Sequence, residues 1–264
     1  MEYFINPDSV VRRIWGKADT VLFIFAGSAA EFALNKAVDW LYFTGKLPAD
    51  PLGRLFSTVE YARRILFAER AAAEQAIDTI AGIHAAVEAK RGMRIPDWAY
   101  RDVLFMLTAY SISVFEAIER PLTAVEKEEI VDVFYRLGCR MGVPEMPATY
   151  AAWAQARQSH LENDLAVSNY TTDLYQQYRR HLGAFRYELV LQAQRFVTPP
   201  RVRKLLKLGR WSWLPLALPL YRPTQHLALG RWARTSLMPA QYRAQILALD
   251  NSAVAVGGRA LQPQ

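Results

Sequence analysis

Arg54 and Thr58 are the first side chains whose types and spacing could support chemistry. They are four residues apart, so a helix would place both on one side. A guanidinium there could pair with a carboxylate or a polarised oxygen, and a hydroxyl could hold a water or dioxygen. The alternative is a surface arginine and a threonine that bonds to its own helix, which is the more frequent situation. The pair by itself does not identify a site.

His84 is the second candidate, because its imidazole projects from an apolar stripe. Ile77, Ile80 and Val87 lie within two helical turns on the same side. The neighbours of the ring are small: Ala81, Gly82, Ala85 and Ala86. Neutral imidazole is a common ligand of haem iron, and a flat porphyrin needs small residues beside that ligand. The same pattern also suits an interior histidine packed beneath a neighbouring helix, so both interpretations stay open.

Other local signatures of catalysis are absent from the sequence. The four histidines are His84, His160, His181 and His226, and no two have the close helical spacing of a zinc site such as H-E-x-x-H. Neither a glycine-rich phosphate loop nor a G-x-S-x-G elbow occurs. His160 and His181 lie among Gln and Arg, where we expect solvated or half-buried rings. A zinc centre built by the protein is therefore disfavoured.

Helices are the elements that must position these residues. Apolar residues recur at helical spacing almost everywhere, whereas alternating strand patterns are not seen. Thr123 and Glu126 form a capping-box pattern, Ile95-Pro96-Asp97 opens another helix, and a long helix over about 171–196 ends before Pro199-Pro200. We expect an all-α chain of about eight to ten helices. Residues 1–250 would form one domain, and 251–264 a disordered tail.

The C-terminal third carries much of the positive charge. The net charge is +7, yet residues 189–249 contain no Asp or Glu. Ten basic residues fall there: Arg195, Arg201, Arg203, Lys204, Lys207, Arg210, Arg222, Arg231, Arg234 and Arg243. Over residues 195–243 these Arg and Lys residues are interspersed with Trp and Leu, a pattern that suits docking on an anionic membrane surface. A solvated basic strap folded over the core is an equal alternative, and nucleic-acid binding ranks below both because no reader motif occurs.

The expected location follows from cysteine usage and hydropathy. Cys139 is the single cysteine, so no intrachain disulfide can form and a reducing interior is favoured. The N-terminal residues lack a secretory pattern. The longest uncharged stretches, 20–30, 103–115 and 211–221, fall below the roughly 20 apolar residues of a spanning helix. We expect a cytoplasmic protein that is at most peripheral at a membrane.

Several segments in order resemble the oxygenase family that includes the latex-clearing proteins (rubber oxygenases) and the MpaB-type oxygenases. They are "NPDSVVRRIWG", "DPLGRLFST", "YARRILFAERAAAEQAIDTIAGIHAAV", "ERPLTAVEKEEIVDVFYRLGCRMGVPEMPATYAAW" and "RTSLMPAQYR". Together they extend over about residues 6–245. Each motif is loose, and the resemblance depends on their order and spacing.

The resemblance implies a globin-like helical fold that holds haem b. The axial histidine of the family falls on His84, and its Arg-x-x-x-Thr pair falls on Arg54 and Thr58. It also implies oxidation of an apolar, often isoprenoid, substrate with dioxygen. Rubber oxygenases have a lysine where this chain has Ser57, and many relatives have a His-Pro where it has "FALNKAVDW". These departures indicate a divergent subgroup in which the substrate, or the activity itself, has changed.

Two function classes follow from the sequence. The first is a haem b-dependent oxygenase in which His84 is the proximal ligand, Arg54 pairs with a propionate or sets distal polarity, and Thr58 bonds near the open iron position. The second is a non-catalytic, basic helical protein that docks on a membrane surface or a protein partner through residues 195–243.

Overall fold

A computed structural model describes residues 2–45 and 49–221, apart from the side chains of Leu55, Leu220 and Tyr221. Regular structure in these ranges is helical. The only β pairings there are isolated bridges between Tyr3 and Glu69 and between Asn35 and Leu165. The all-α prediction is confirmed. The prediction of one domain over 1–250 stays a prediction, and the tail at 251–264 lies outside the described residues.

Eleven helices lie in the described residues: α1 (Val10–Trp15), α2 (Ala18–Phe32), α3 (Asp39–Phe43), α4 (Pro51–Leu66), α5 (Arg70–Arg91), α6 (Asp97–Ile118), α7 (Ala124–Arg140), α8 (Tyr150–Asn163), α9 (Asn169–Val197), α10 (Pro200–Leu205) and α11 (Leu214–Tyr221). Three of them, α1, α3 and α10, have six residues or fewer. Such short helices show no full apolar period, which explains why the sequence predicts slightly fewer helices.

Capping residues fix the ends of several helices. The Thr123 hydroxyl accepts from the Glu126 backbone N–H at 3.2 Å, and the Glu126 carboxylate accepts from the Thr123 N–H at 2.9 Å. This reciprocal pair is the capping box that the sequence predicts for α7. Gly92 ends α5 with φ of 70°, a left-handed conformation that glycine adopts without steric cost.

The long helix α9 departs from the prediction of one continuous helix. Gly183 has φ of 72° and ψ of 168°, so the helix is broken there although hydrogen bonding resumes on both sides. Apolar periodicity continues through the break, and for that reason the sequence pattern does not reveal it. The two halves of α9 can therefore follow different directions over the bundle.

The core is centred on α2 and α6, with α1, α7 and α9 packed around them. Trp15 is fully buried, and its indole N–H donates to the Ser111 hydroxyl at 3.1 Å. Gly27 permits the close approach of α2 and α6, since a Cβ there would lie 2.4 Å from a ring carbon of Tyr110. The centre of the bundle therefore depends on exact size matching at this crossing.

Helices α4 and α5 form a hairpin at the side of this core. The chain turns between Leu66 and Arg70, and the two helices then pack against each other. Val59, Ile65 and Ile77 bury the inner face of the hairpin. This hairpin carries all three residues that the sequence singles out for chemistry.

Candidate functional site

The α4–α5 hairpin places Arg54 near His84. The two residues lie at nearly equal distances along the chain from the turn that joins the helices, so antiparallel packing brings them to the same level. They are close enough for the Arg54 charge to lower the pKa of His84. The sequence-predicted candidates on the two helices are therefore brought together by the fold.

The His84 ring is half-buried and only partly supplied with polar contacts. Its Nδ1 atom is shielded from solvent and has no hydrogen-bond partner. Burial lowers the pKa of His84, the Arg54 charge lowers it further, and Glu88 opposes them. Since the ordinary pKa is already below 7, His84 carries a neutral imidazole at neutral pH. Neutral imidazole is the form that binds metals.

Tyr100 packs against the imidazole of His84, and Glu88 holds Tyr100 in place. The Tyr100 and His84 ring centroids are 5.2 Å apart, with planes inclined at 55°. The Tyr100 hydroxyl donates to Glu88 Oε1 at 3.1 Å, and the Ile95 N–H donates to the same oxygen at 2.8 Å. Burial, together with Glu88, raises the pKa of Tyr100. These contacts tie the C-terminal part of α5 to the start of α6 and restrict the ring of His84.

Arg54 and Thr58 interact chiefly within α4. The Thr58 hydroxyl donates to the Arg54 carbonyl at 3.0 Å, and the Ser57 hydroxyl donates to the same carbonyl at 2.8 Å. One Arg54 nitrogen, Nη1, lies 3.3 Å from Ser57 Oγ. Burial lowers the pKa of Arg54, with Tyr61 opposing. The Thr58 proton is thus committed to its own helix, and only the oxygen lone pairs are left to accept a further bond.

The small residues around His84 in α5 lie mostly on the solvent side of the helix. Ala81 is half-buried, whereas Gly82, Ala85 and Ala86 are exposed. A Cβ added at Gly82 would meet nothing within 4 Å. Gly82 and Ala86 are each two residues from His84, so they lie on the opposite, solvent-facing side of α5. Room for a porphyrin beside the imidazole therefore stays a prediction.

A buried polar network lies elsewhere, in the middle of the bundle, and sequence reasoning missed it. Glu31 on α2 forms a bidentate ion pair with Arg157 on α8, with an Nη2–Oε2 distance of 2.5 Å. His160 Nε2 lies 3.1 Å from Glu31 Oε1, and His160 Nδ1 lies 2.7 Å from Asp102 Oδ2. The Tyr110 hydroxyl donates to Glu31 at 3.1 Å. The network links α2, α6 and α8.

His160 is therefore a correction to the sequence analysis, which expects a solvated or half-buried ring. It is only 3% exposed, and Glu31 is 1% exposed. One sequence signal could have found the network: Glu31 is the single charged residue in the apolar stretch 20–35. A lone acid in such a helix needs a buried cation. His181, by contrast, is half-buried as expected.

The network is held by opposing charges. Burial disfavours charge on Glu31, but Arg157 and His160 outweigh it and lower the pKa of Glu31 to about 2. Burial likewise disfavours His160⁺, but hydrogen bonds to Asp102 and Glu31 raise its pKa to about 9. Asp102 has a raised pKa, chiefly because of burial. His160 is consequently protonated at neutral pH.

Asp102, His160 and Asp164 have ligand atoms within 4.8 Å of one another, a separation that could suit a metal ion. His160 Nδ1, however, faces both carboxylates, at 2.7 Å from Asp102 and 3.4 Å from Asp164. A metal ion bound there would have to displace the proton of His160 Nδ1. We interpret the group as an ion-pair network.

The described part of the basic region combines an anchored side with an exposed side. Val202 is fully buried against Leu34 and Leu165. Basic side chains face outward at Arg201, Lys204, Lys207 and Arg210. Trp211 is 67% exposed and Leu216 is 72% exposed. Arg195 and Arg203 are half-buried. The other four basic residues of this region, Arg222, Arg231, Arg234 and Arg243, lie outside the described residues, as does His226.

Within the described residues, no helix is both long enough and apolar enough to cross a membrane.

Comparison with known proteins gave one match. A family model described as "ER-bound oxygenase mpaB/B'/Rubber oxygenase, catalytic domain" matches residues 12–245. No curated protein and no solved structure matched the chain.

Proposed function

Because the chain belongs to the family of ER-bound oxygenases mpaB/B' and rubber oxygenases, we propose that it binds haem b and oxidises an apolar substrate with dioxygen. The family match supports an oxygenase catalytic domain. Haem, the substrate and the individual residues are parts of the proposal, and they rest on the geometry of the α4–α5 hairpin.

The observation that carries the proposal is the unpartnered nitrogen of His84. Buried polar atoms without partners are few in folded proteins, and each requires an explanation. The orientation of the ring is restricted by Tyr100, and the imidazole is neutral. These properties fit a haem ligand, so we assign His84 as the proximal ligand.

Arg54 and Thr58 complete the proposed site. The Arg54 cation is largely withdrawn from solvent and would pair with a haem propionate or increase polarity on the distal side. The Thr58 oxygen can accept a hydrogen bond from a water near the open iron position. Iron would supply the activation of dioxygen, and the protein would supply ligation, orientation and control of polarity.

The substrate is proposed to be apolar, and isoprenoid compounds are the class that the family resemblance favours. Ser57 replaces the lysine of rubber oxygenases, and its hydroxyl is held by the Arg54 carbonyl. A neutral, short side chain at this position changes the polarity beside the proposed site. We therefore expect a substrate different from polymeric rubber.

The absorption spectrum of the purified protein tests haem binding. We expect a Soret band in the wild type and its loss in His84→Ala, because no other residue would replace the iron ligand. His181→Ala is the matched control, since this half-buried histidine lies on α9, and it should keep the band. Full haem content in His84→Ala would contradict the ligand assignment. A wild type that shows no Soret band even after incubation with haemin would contradict haem binding altogether.

Membrane docking through residues 195–243 is the second candidate function. The exposed Trp211 and Leu216 lie next to outward-facing cations, an arrangement that suits an anionic lipid interface. It is compatible with an oxygenase that collects an apolar substrate and also with a non-catalytic docking protein located in the cytoplasm.

Sedimentation with vesicles tests this docking. Lys204→Glu combined with Lys207→Glu should reduce binding to phosphatidylserine vesicles by at least about thirtyfold, because two cations near the surface contribute roughly 1 kcal/mol each. Lys90→Glu, at the end of α5, is the control and should bind as the wild type does. Equal binding of both variants would exclude this surface.

A further inference from the structure

A cavity of about 560 Å³, widely open to solvent, lies at the end of the bundle where α1 joins α2. The turn between α4 and α5 contributes Phe67, and the C-terminal end of α6 contributes Phe115 and Glu119. Four cations also line it, namely Arg12, Arg13, Lys17 and Arg120. Small organic ligands commonly occupy cavities of roughly 300–1,000 Å³. The space therefore has the size of a ligand site and a positive lining.

Three of the four cations already have carboxylate partners. Lys17 Nζ lies 2.7 Å from Glu119, and Arg120 Nη2 lies 2.6 Å from Glu126. Arg13 lies 3.7 Å from the same Glu126 carboxylate. Glu119 and Glu126, the two acids near the cavity, are thus engaged with these three cations. The two carboxylates therefore cannot fully neutralise a fourth cation.

Arg12 is different, because it is only 4% exposed and lacks a carboxylate partner in the described residues. Its Nε and Nη2 atoms are shielded from solvent and make no hydrogen bond. Tyr3 and Phe67 lie beneath the guanidinium, at 4.7 and 5.6 Å from their ring centroids. Aromatic faces attract a cation but do not accept its N–H groups as an anion would.

A buried guanidinium with free donors is costly unless an anion pairs with it. The Trp15 carbonyl at the end of α1 is already engaged, since it accepts a hydrogen bond from Arg63. The phenyl rings of Phe67 and Phe115 offer the remaining lining to an apolar group. We propose that this cavity binds an amphiphilic organic anion, with its carboxylate or phosphate on Arg12 and its apolar part against Phe67 and Phe115.

The cavity is separate from the proposed haem site. Phe67 precedes α5, and His84 lies near the other end of that helix. The helical residues from Arg70 to His84 alone rise by roughly 21 Å, at about 1.5 Å per residue. The inference therefore does not depend on haem binding, and the two proposals can fail independently.

Isothermal titration calorimetry on the full-length protein tests the site with four probes. Dodecanoate and dodecyl phosphate carry the two possible head groups, dodecanol has the apolar part alone, and inorganic phosphate has a head group alone. We expect the wild type to bind at least one of the two amphiphilic anions more tightly than dodecanol or phosphate. The preferred head group then identifies the ligand as a carboxylate or a phosphate.

Arg12→Met should weaken binding of the preferred anion by at least about tenfold, the loss typical of a charge-assisted hydrogen bond. Arg64→Met is the matched control, because Arg64 is exposed on α4 and paired with Glu60, and it should bind as the wild type does. Arg12→Lys keeps the charge without the planar fork and gives a second measure if the methionine variant fails to fold. No anion binding by the wild type, unchanged binding in both Arg12 variants, or equal affinity for dodecanol would overturn the proposal.

Discussion

Two histidines show how residue environment decides chemical role. His84 is neutral, with a buried nitrogen that has no partner, whereas His160 is cationic and bonded to two carboxylates. A ring with a free nitrogen can accept a metal, while a ring whose nitrogens both donate to acids holds a fold together. The functional candidate is therefore the less satisfied of the two.

Glu31 is the residue whose loss should cost most stability in the polar network. Glu31→Gln would leave Arg157 and His160 as buried cations without their shared partner. We expect the free energy of unfolding to fall by about 3–5 kcal/mol. Chemical denaturation measures it. Glu60→Gln on the surface of α4 is the control and should change stability by less than about 1 kcal/mol. Similar losses in the two variants would contradict the structural role of the network.

Helix packing decides which residues of different elements meet. The α4–α5 hairpin brings Arg54 to His84, and the α2–α6 crossing brings Tyr110 to Glu31. Short connections make the first pairing predictable, because consecutive helices joined by a tight turn run antiparallel. The second pairing joins elements far apart in the chain, and it follows from size matching in the core.

Gly27→Ala tests the crossing of α2 and α6. The new Cβ would lie 2.4 Å from Tyr110 and 2.9 Å from Val197. Either α2 or the Tyr110 ring must therefore shift. We expect a loss of about 1–3 kcal/mol in the free energy of unfolding. Gly82→Ala is the matched control, since nothing lies within 4 Å of its added Cβ. There, removing a helix-interior glycine should stabilise the protein by about 0.5–1 kcal/mol. Stabilisation by both substitutions would show that the crossing is loose.

At the scale of the whole molecule, the excess positive charge lies on the surface, in a segment without acidic residues. The exposed cations from Arg201 to Arg210 lie outside the bundle, whereas Arg157 is buried against Glu31. Net charge therefore indicates little about the core and more about what the surface can attract. The buried charges instead make folding stability depend on pH.

Stability should decrease between about pH 6.5 and pH 9. The folded pKa of His160 is raised to about 9 from an ordinary value of 6.5. Its stabilising contribution is fully present below the unfolded pKa and disappears as pH rises through the folded pKa. Glu31 has a lowered pKa, so its contribution is lost only at acid pH, toward about 2. His84 is neutral in both states over most of the alkaline window and does not contribute there.

Urea denaturation at several pH values tests this dependence. The midpoint of the wild type should fall across the window, with a loss of a few kcal/mol at roughly 1.4 kcal/mol per pKa unit. His160→Gln should be less stable at pH 6.5 but nearly independent of pH up to 9. An equal slope in this variant would assign the titration to another group.

The sequence by itself determined the all-α class, the capping box at Thr123, the approximate course of most helices and the family. These features depend on local spacing, which is visible in one chain segment at a time. The sequence also singled out Arg54 and His84, and the α4–α5 hairpin brings these two residues close together.

Only the tertiary structure decided that Glu31, Arg157 and His160 share a buried network and that Arg12 lies beside a cavity without a carboxylate partner in the described residues. Each of these depends on contacts between residues distant in the chain or on the balance of desolvation and pairing. Local spacing carries no information on such contacts, because burial is fixed only when the helices pack.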